Sequence, residues 1–175
     1  AWFVSRVVAK GGGGLAGIIN SAGQAAEGAA ERPGKAAIAN AKLAYADYKA
    51  VFGSERFQQL KPRGARVQRP LWASTGTKNP TYSDVMYVDE LIGPDTVNTV
   101  PPQTLAALLD HGVVRPGALE EDLAGAEKVQ LDLDALGISM RAVTQELGDE
   151  GVKSFMSAYT EVVEKMEQRR QAAAG

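Results

Sequence analysis

With 175 residues, 45% of them hydrophobic and 23% charged, the chain has the make-up of one ordinary globular domain, which excludes a fibrous or disordered protein. A formal charge of −2 leaves no basic field for a nucleic-acid backbone or an anionic membrane, so neither is expected as a partner. Zero cysteines and a single histidine exclude disulfides, thiol catalysis and a multi-histidine metal centre, and no cofactor or metal is expected.

Trp2-Phe3-Val4-Ser5-Arg6-Val7-Val8 has the composition of a strand. A chain opening inside such a run is either an edge strand whose initiator Met was removed or a truncated domain. The start also lacks the basic flank of a signal peptide, and no apolar run approaches the roughly 18 residues of a membrane span, so a soluble, cytoplasmic protein is expected. Residues 9–33 are rich in Gly and Ala. The Gly11–Gly14 run disfavours regular structure, and a weak helix is expected from Leu15 to Ala30. Without a Lys-Ser/Thr pair behind it, the run is not read as a phosphate loop.

Ile38, Ala41, Tyr45, Tyr48 and Phe52 are spaced as one helical stripe, which predicts a helix ending at Gly53 with its aromatics in the core. Ser54 with Phe57 and Leu60 predicts a short capped helix before a turn at Lys61-Pro62-Arg63-Gly64. Pro70–Ser74 reads as a short buried strand, Tyr82–Ile92 as a helix, and Thr96–Val100 as a further strand. Pro101-Pro102 opens a helix that stops at Gly112. Two more stripes follow, Leu119 to Leu136 and Val152 to Met166, and the stripe is lost over 167–175, a tail expected to fray. Short buried strands alternating with helices are the pattern of parallel βα units, open sheet or barrel. Three strands are too few for a whole barrel, which needs roughly 250 residues.

In such folds functional groups follow the carboxyl ends of strands. Three places qualify: Ser5 and Arg6, the loop Ser74-Thr75-Gly76-Thr77-Lys78, and Asn98 with Thr99. The loop offers hydroxyls, a glycine through which backbone N–H groups can approach, and a compact cation, which suits a phosphate dianion. An ordinary polar turn has the same composition. His111 is expected to favour a helix C-terminus as imidazolium, Glu120-Glu121-Asp122 to sit in a helix's first turn as a solvated face, and Asp89, Glu90 and Asp95 to form at most a loose acid/base set.

The run Gln68-Arg69-Pro70-Leu71-Trp72-Ala73-Ser74-Thr75-Gly76-Thr77-Lys78-Asn79-Pro80 resembles the bacterial transaldolase family. The likeness continues through Tyr82–Gly93 and Thr96–Pro101, and is found again in Phe3–Val7, Gly34–Ala41 and Gly151–Phe155. Residues 8–33 depart from the family pattern, leaving 9–33 as a variable segment. Transaldolases are (β/α)8 barrels that move a dihydroxyacetone unit from sedoheptulose 7-phosphate to glyceraldehyde 3-phosphate, in the pentose phosphate pathway, through a Schiff base on a barrel lysine. The resemblance implies an α/β fold, a partial (β/α)8 TIM barrel made of about the last three βα units, with residues 1–175 forming the C-terminal half of the barrel.

It also implies that the family's phosphate-binding arginine falls on Arg6, its phosphate-contacting serine on Ser74 and the basic partner on Lys78. A further serine of the family would fall on Ala1, which has no hydroxyl. The Schiff-base lysine belongs to earlier strands and has no matching motif here, so no catalytic residue is expected in the chain and it is expected to be inactive alone. Sugar phosphates are the expected ligands. The missing barrel half, or another copy meeting the open sheet edges, is the expected macromolecular partner. The competing reading is a non-catalytic phosphosugar-binding or assembly module built on half a barrel, which fold alone does not separate from the first.

Overall fold

The structure is a computed structural model and describes residues 32–77, 80, 82–135 and 137–174. The first expected strand, the expected helix over 15–30, and both Arg6 and Lys78 lie outside the described residues. Two compact units are present, residues 1–138 and residues 139–175.

Helix α1 (Arg32–Gly53) opens the described part of the first unit. It is rich in alanine, and Ala36, Ala37, Ala39 and Ala41 are all buried. Side chains this small let another helix approach closely, and α1 packs along α5 (Leu123–Ala135), which presents Ala126 and Leu133. The aromatic stripe expected to be core is core at Tyr45. Tyr48 and Phe52 continue it partly buried, with ring centroids 5.6 and 5.2 Å apart along the series.

At Ser54 the backbone turns extended, and the serine hydroxyl accepts from the Phe57 N–H at 3.3 Å, starting α2 (Glu55–Leu60) as the sequence predicts. A 3-10 turn over Lys61–Arg63 ends at Gly64, whose φ of +94° suits glycine.

Strands β1 (Leu71–Ala73) and β2 (Val97–Thr99) pair in parallel, with Leu71 opposite Val97, Trp72 opposite Asn98 and Ala73 opposite Thr99. Between them lies α3 (Met86–Glu90), so this is one βαβ unit. The helix expected from Tyr82 is shorter than the apolar pattern suggested: bends and turns hold Tyr82–Val85, and the helix ends at Glu90. The strands were also expected to be buried on both faces. Trp72 does enter the core with Ala41, Tyr45, Leu91 and Leu119, but Leu71, on the opposite face, is 47% exposed. Among the described residues, only the helix-facing side of the sheet is covered.

β2 leads through Pro101 into α4 (Pro102–His111), as the Pro-Pro pair predicts. A 3-10 turn over Ala118–Glu120 follows, pinned where Leu119 N–H donates to the Ile92 carbonyl at 3.0 Å. The expectation that Glu120–Asp122 form a helix's first turn is corrected. Asp122 adopts a left-handed φ of +50° and caps α5 by accepting from Gly125 N–H at 3.0 Å. Nor are these carboxylates simply solvated, because Glu120 pairs with Lys49 and Glu121 with Arg115.

The carboxylates Asp89, Glu90 and Asp95 do not gather into an acid/base set. Asp89 accepts from Val113 N–H, Glu90 pairs with Arg115 at 2.7 Å and Lys42 at 3.5 Å, and Asp95 occupies a left-handed turn.

His111 ends α4, as expected, and also holds two carboxylates: Nε2 lies 2.8 Å from Asp84 and Nδ1 3.0 Å from Asp110. The hydrogen bond to Asp84 first, and that to Asp110 second, raise its pKa above 6.5, while the His111 contact lowers that of Asp84. A raised histidine pKa contributes stability that is complete below about 6.5 and is lost as pH rises through the folded value. The lowered Asp84 pKa contributes stability that is lost as pH falls through its own folded value. The pair is therefore favourable between those two limits. In an NMR titration, the His111 ring resonances are expected to move with a midpoint above 6.5, and Asp84→Asn to bring that midpoint down. A midpoint unaffected by Asp84→Asn would disprove the contact.

The second unit is α6 (Met140–Ala174), a single 35-residue helix. It remains helical through the stretch from residue 167 that was expected to fray, with Arg170 paired to Glu167 at 2.7 Å.

Candidate functional site

The carboxyl ends of β1 and β2 face the same way because the strands are parallel, and the loop after β1 lies beside the last residues of β2. Three contacts hold that loop. Ser74 N–H donates to the Thr99 carbonyl at 3.2 Å, carrying the ladder one step past the strand. The Thr75 side chain is buried, 1% exposed, and its hydroxyl donates to Asn98 Oδ1 at 2.8 Å. Gly76 passes so close to the start of α4 that a Cβ there would lie 2.8 Å from Thr104 Oγ1 and 3.3 Å from Pro101 Cγ, which leaves room for glycine alone.

Between these fixed points Ser74 adopts a left-handed backbone, φ +56°, and its side chain is exposed. For a residue other than glycine this conformation costs about 1–2 kcal/mol. The buried Thr75 bond and the Gly76 approach keep it in place. The chemical result is a hydroxyl held out from a rigid loop at the strand ends, where it can donate to an oxyanion.

Of the three residues singled out for phosphate binding, only Ser74 is described. It stands where the sequence placed it, at the carboxyl end of a parallel strand. Arg6 and Lys78 lie outside the described residues. The supports of Ser74 were less visible. Asn98 was noted as a strand end, but its bond to Thr75 depends on strand register, and the Gly76–Thr104 approach joins residues 28 positions apart.

Elsewhere, a cavity of about 310 Å³ lies between α1, α3 and α5, with a mostly apolar wall. Two of its polar groups, Lys42 and Glu90, bind one another, and the Lys42 ammonium also donates to the Glu121 carbonyl at 3.0 Å. Lys42 is thus buried. No group of three or more acidic or histidine side chains that could hold a metal ion occurs among the described residues. None of the described helices is long and apolar enough to cross a membrane.

A family model described as Transaldolase/Fructose-6-phosphate aldolase matches residues 1–166, nearly the whole chain. The chain belongs to the transaldolase/fructose-6-phosphate aldolase family. It is 49% identical over 140 residues to a protein named Transaldolase from Mycolicibacterium smegmatis, a match covering 80% of this chain and 38% of that protein. It is also 49% identical over 137 residues to the Transaldolase of Mycolicibacterium paratuberculosis (78% and 37%), and 48% identical over 138 residues to that of Mycobacterium tuberculosis (78% and 37%). The match spans a little over a third of the length of these relatives. The transaldolase/fructose-6-phosphate aldolase match agrees with a helix-rich part of an α/β barrel, and the described βαβ unit is consistent with it.

Proposed function

We propose that this chain supplies the phosphate-binding end of a transaldolase active site, in an enzyme that transfers a dihydroxyacetone unit between sugar phosphates. The observation that carries the reading is the Ser74 loop, locked by Thr75–Asn98 and Gly76–Thr104 at the carboxyl ends of two parallel strands. In this reading Ser74 donates its hydroxyl to a phosphate oxygen, and Lys78 supplies a compact cation. Arg6, expected after the preceding strand, adds a planar guanidinium fork that fits two oxygens at once. Holding the phosphate fixes where the sugar carbonyl lies, an orientation effect that can contribute several kcal/mol to rate.

The chain alone is proposed to be inactive. A Schiff-base lysine must lose its proton, which needs desolvation without a compensating anion. Lys42 is desolvated, but its ammonium faces the Glu90 carboxylate and a carbonyl. Lys78, as a phosphate anchor, is favoured in its charged form by the anion it holds.

Two measurements test the proposal. Inorganic phosphate titrated into the chain is expected to shift the backbone resonances of Ser74–Thr77, and Ser74→Ala to weaken binding. Borohydride treatment with fructose 6-phosphate is expected to leave every lysine unmodified. Absence of phosphate binding would refute the anchor, and a reduced three-carbon adduct on any lysine would refute inactivity. Phosphate binding that survives when the chain is joined to the amino-terminal part of a relative, with no transfer activity gained, would favour the non-catalytic module instead.

A further inference from the structure

The cavity between α1, α3 and α5 belongs to the first unit, and none of its lining residues is part of the Ser74 loop. Ile38, Ala39, Met86, Ala126 and Val129 make its apolar wall, against which an aliphatic group is better placed than in water. At about 310 Å³ it stands at the lower end of the range for small-molecule sites.

One charged side chain on this wall is short of acceptors. Lys42 is 8% exposed, and its ammonium carries three N–H donors. One donor goes to the Glu121 carbonyl at 3.0 Å. The Glu90 carboxylate comes only to 3.5 Å, and its other oxygen is held by Arg115 at 2.7 Å. Glu90 is thus shared between two cations, and Lys42 keeps donor capacity in the cavity that it lines. Buried donors without a close acceptor are costly, so an acceptor placed in this cavity gains what Lys42 lacks.

That need selects an anion over an amine. A ligand ammonium would meet Lys42 and also Lys35, which lines the cavity two helical turns earlier on α1. The two carboxylates of the wall are already engaged, Glu90 as described and Asp122 by the Gly125 N–H at 3.0 Å. The first turn of α5, with Gly125 and Ala126, lines the cavity as well and adds the positive end of a helix dipole.

We propose that this cavity binds a small aliphatic carboxylate, with its head group on the Lys42 ammonium and its chain along Ile38, Met86 and Val129. The inference does not rest on the phosphate-site reading, and each fails or stands alone.

Hexanoate, hexanol and hexylamine share a chain and differ in head group. Each is titrated into the full chain while the methyl resonances of Ile38, Met86 and Val129 are followed by NMR. Hexanoate is expected to shift all three and to saturate, while those of the Ser74–Thr77 backbone stay in place. Hexanol is expected to bind about tenfold more weakly, the difference made by one charge-assisted hydrogen bond, and hexylamine to give no saturable shift. Lys42→Met is expected to bring hexanoate down to the affinity of hexanol. Val129→Phe, which fills the cavity from α5 and leaves Lys42 untouched, is expected to exclude both ligands.

Circular dichroism melting shows which variants fold. If Lys42→Met does not, Val129→Phe and the three head groups still decide. No saturable shift with hexanoate, or shifts confined to Ser74–Thr77, would overturn the proposal. Hexanol or hexylamine binding as tightly as hexanoate would overturn the choice of a carboxylate. Hexanoate affinity undiminished in a folded Lys42→Met would remove the ammonium from the site, and affinity undiminished in a folded Val129→Phe would remove the ligand from this cavity.

Discussion

Trp72→Ala is expected to lower the stability of the first unit by about 3–5 kcal/mol, a large share of what a domain this size possesses. Trp72 is the one residue of β1 that enters the helix-facing core, where it packs with Tyr45, Leu91 and Leu119. Leu71 and Ala73 cannot compensate, because alternation along the strand sends them to the other face. The loss should come from packing and not from the indole N–H, since Nε1 is buried and has no hydrogen-bond partner. Trp72→Phe, which keeps most of the apolar volume and removes that unmatched donor, is therefore expected to cost much less. Urea unfolding followed by circular dichroism separates the two. Equal losses for both variants would mean that the indole is paired in solution.

Arg6→Ala is expected to weaken inorganic phosphate binding about ten- to a hundredfold, corresponding to roughly 1.5–3 kcal/mol for a charge-assisted contact. In a protein completed with the amino-terminal part of a relative, the same variant should raise KM for fructose 6-phosphate. Arg6→Lys should recover part of the affinity, because it returns the charge but not the planar fork. Calorimetric titration gives the constants, and unchanged affinity in Arg6→Ala would remove Arg6 from the site.

Much of the fold was readable where local chemistry decides it. The α1 stripe, the Ser54 cap and the Pro101-Pro102 helix start are all found, because spacing, a cap side chain and a fixed φ act over a few residues. Errors arose where distant partners decide. The residues before Met86 have a helical apolar pattern, yet turns hold them. Glu120–Asp122 read as a helix start, but Lys49 and Arg115 draw two of these carboxylates away and Asp122 breaks the turn. Lys42 is buried against Glu90, a partner 48 residues away of which the local sequence carries no sign. The site divides in the same way. Ser74 could be found from a strand followed by a polar loop, whereas Thr75 matters through a buried bond that only strand register creates.

The left-handed backbone at Ser74 sets two selective pressures against each other. Glycine would suit φ +56° better, so a screen for thermal tolerance should enrich Ser74→Gly, with a gain on the order of 1 kcal/mol. The same exchange deletes the hydroxyl that the proposed anchor requires. Consensus or stability-guided redesign of this loop would then yield a sturdier protein that has lost its grip on the ligand, a compromise familiar at functional positions.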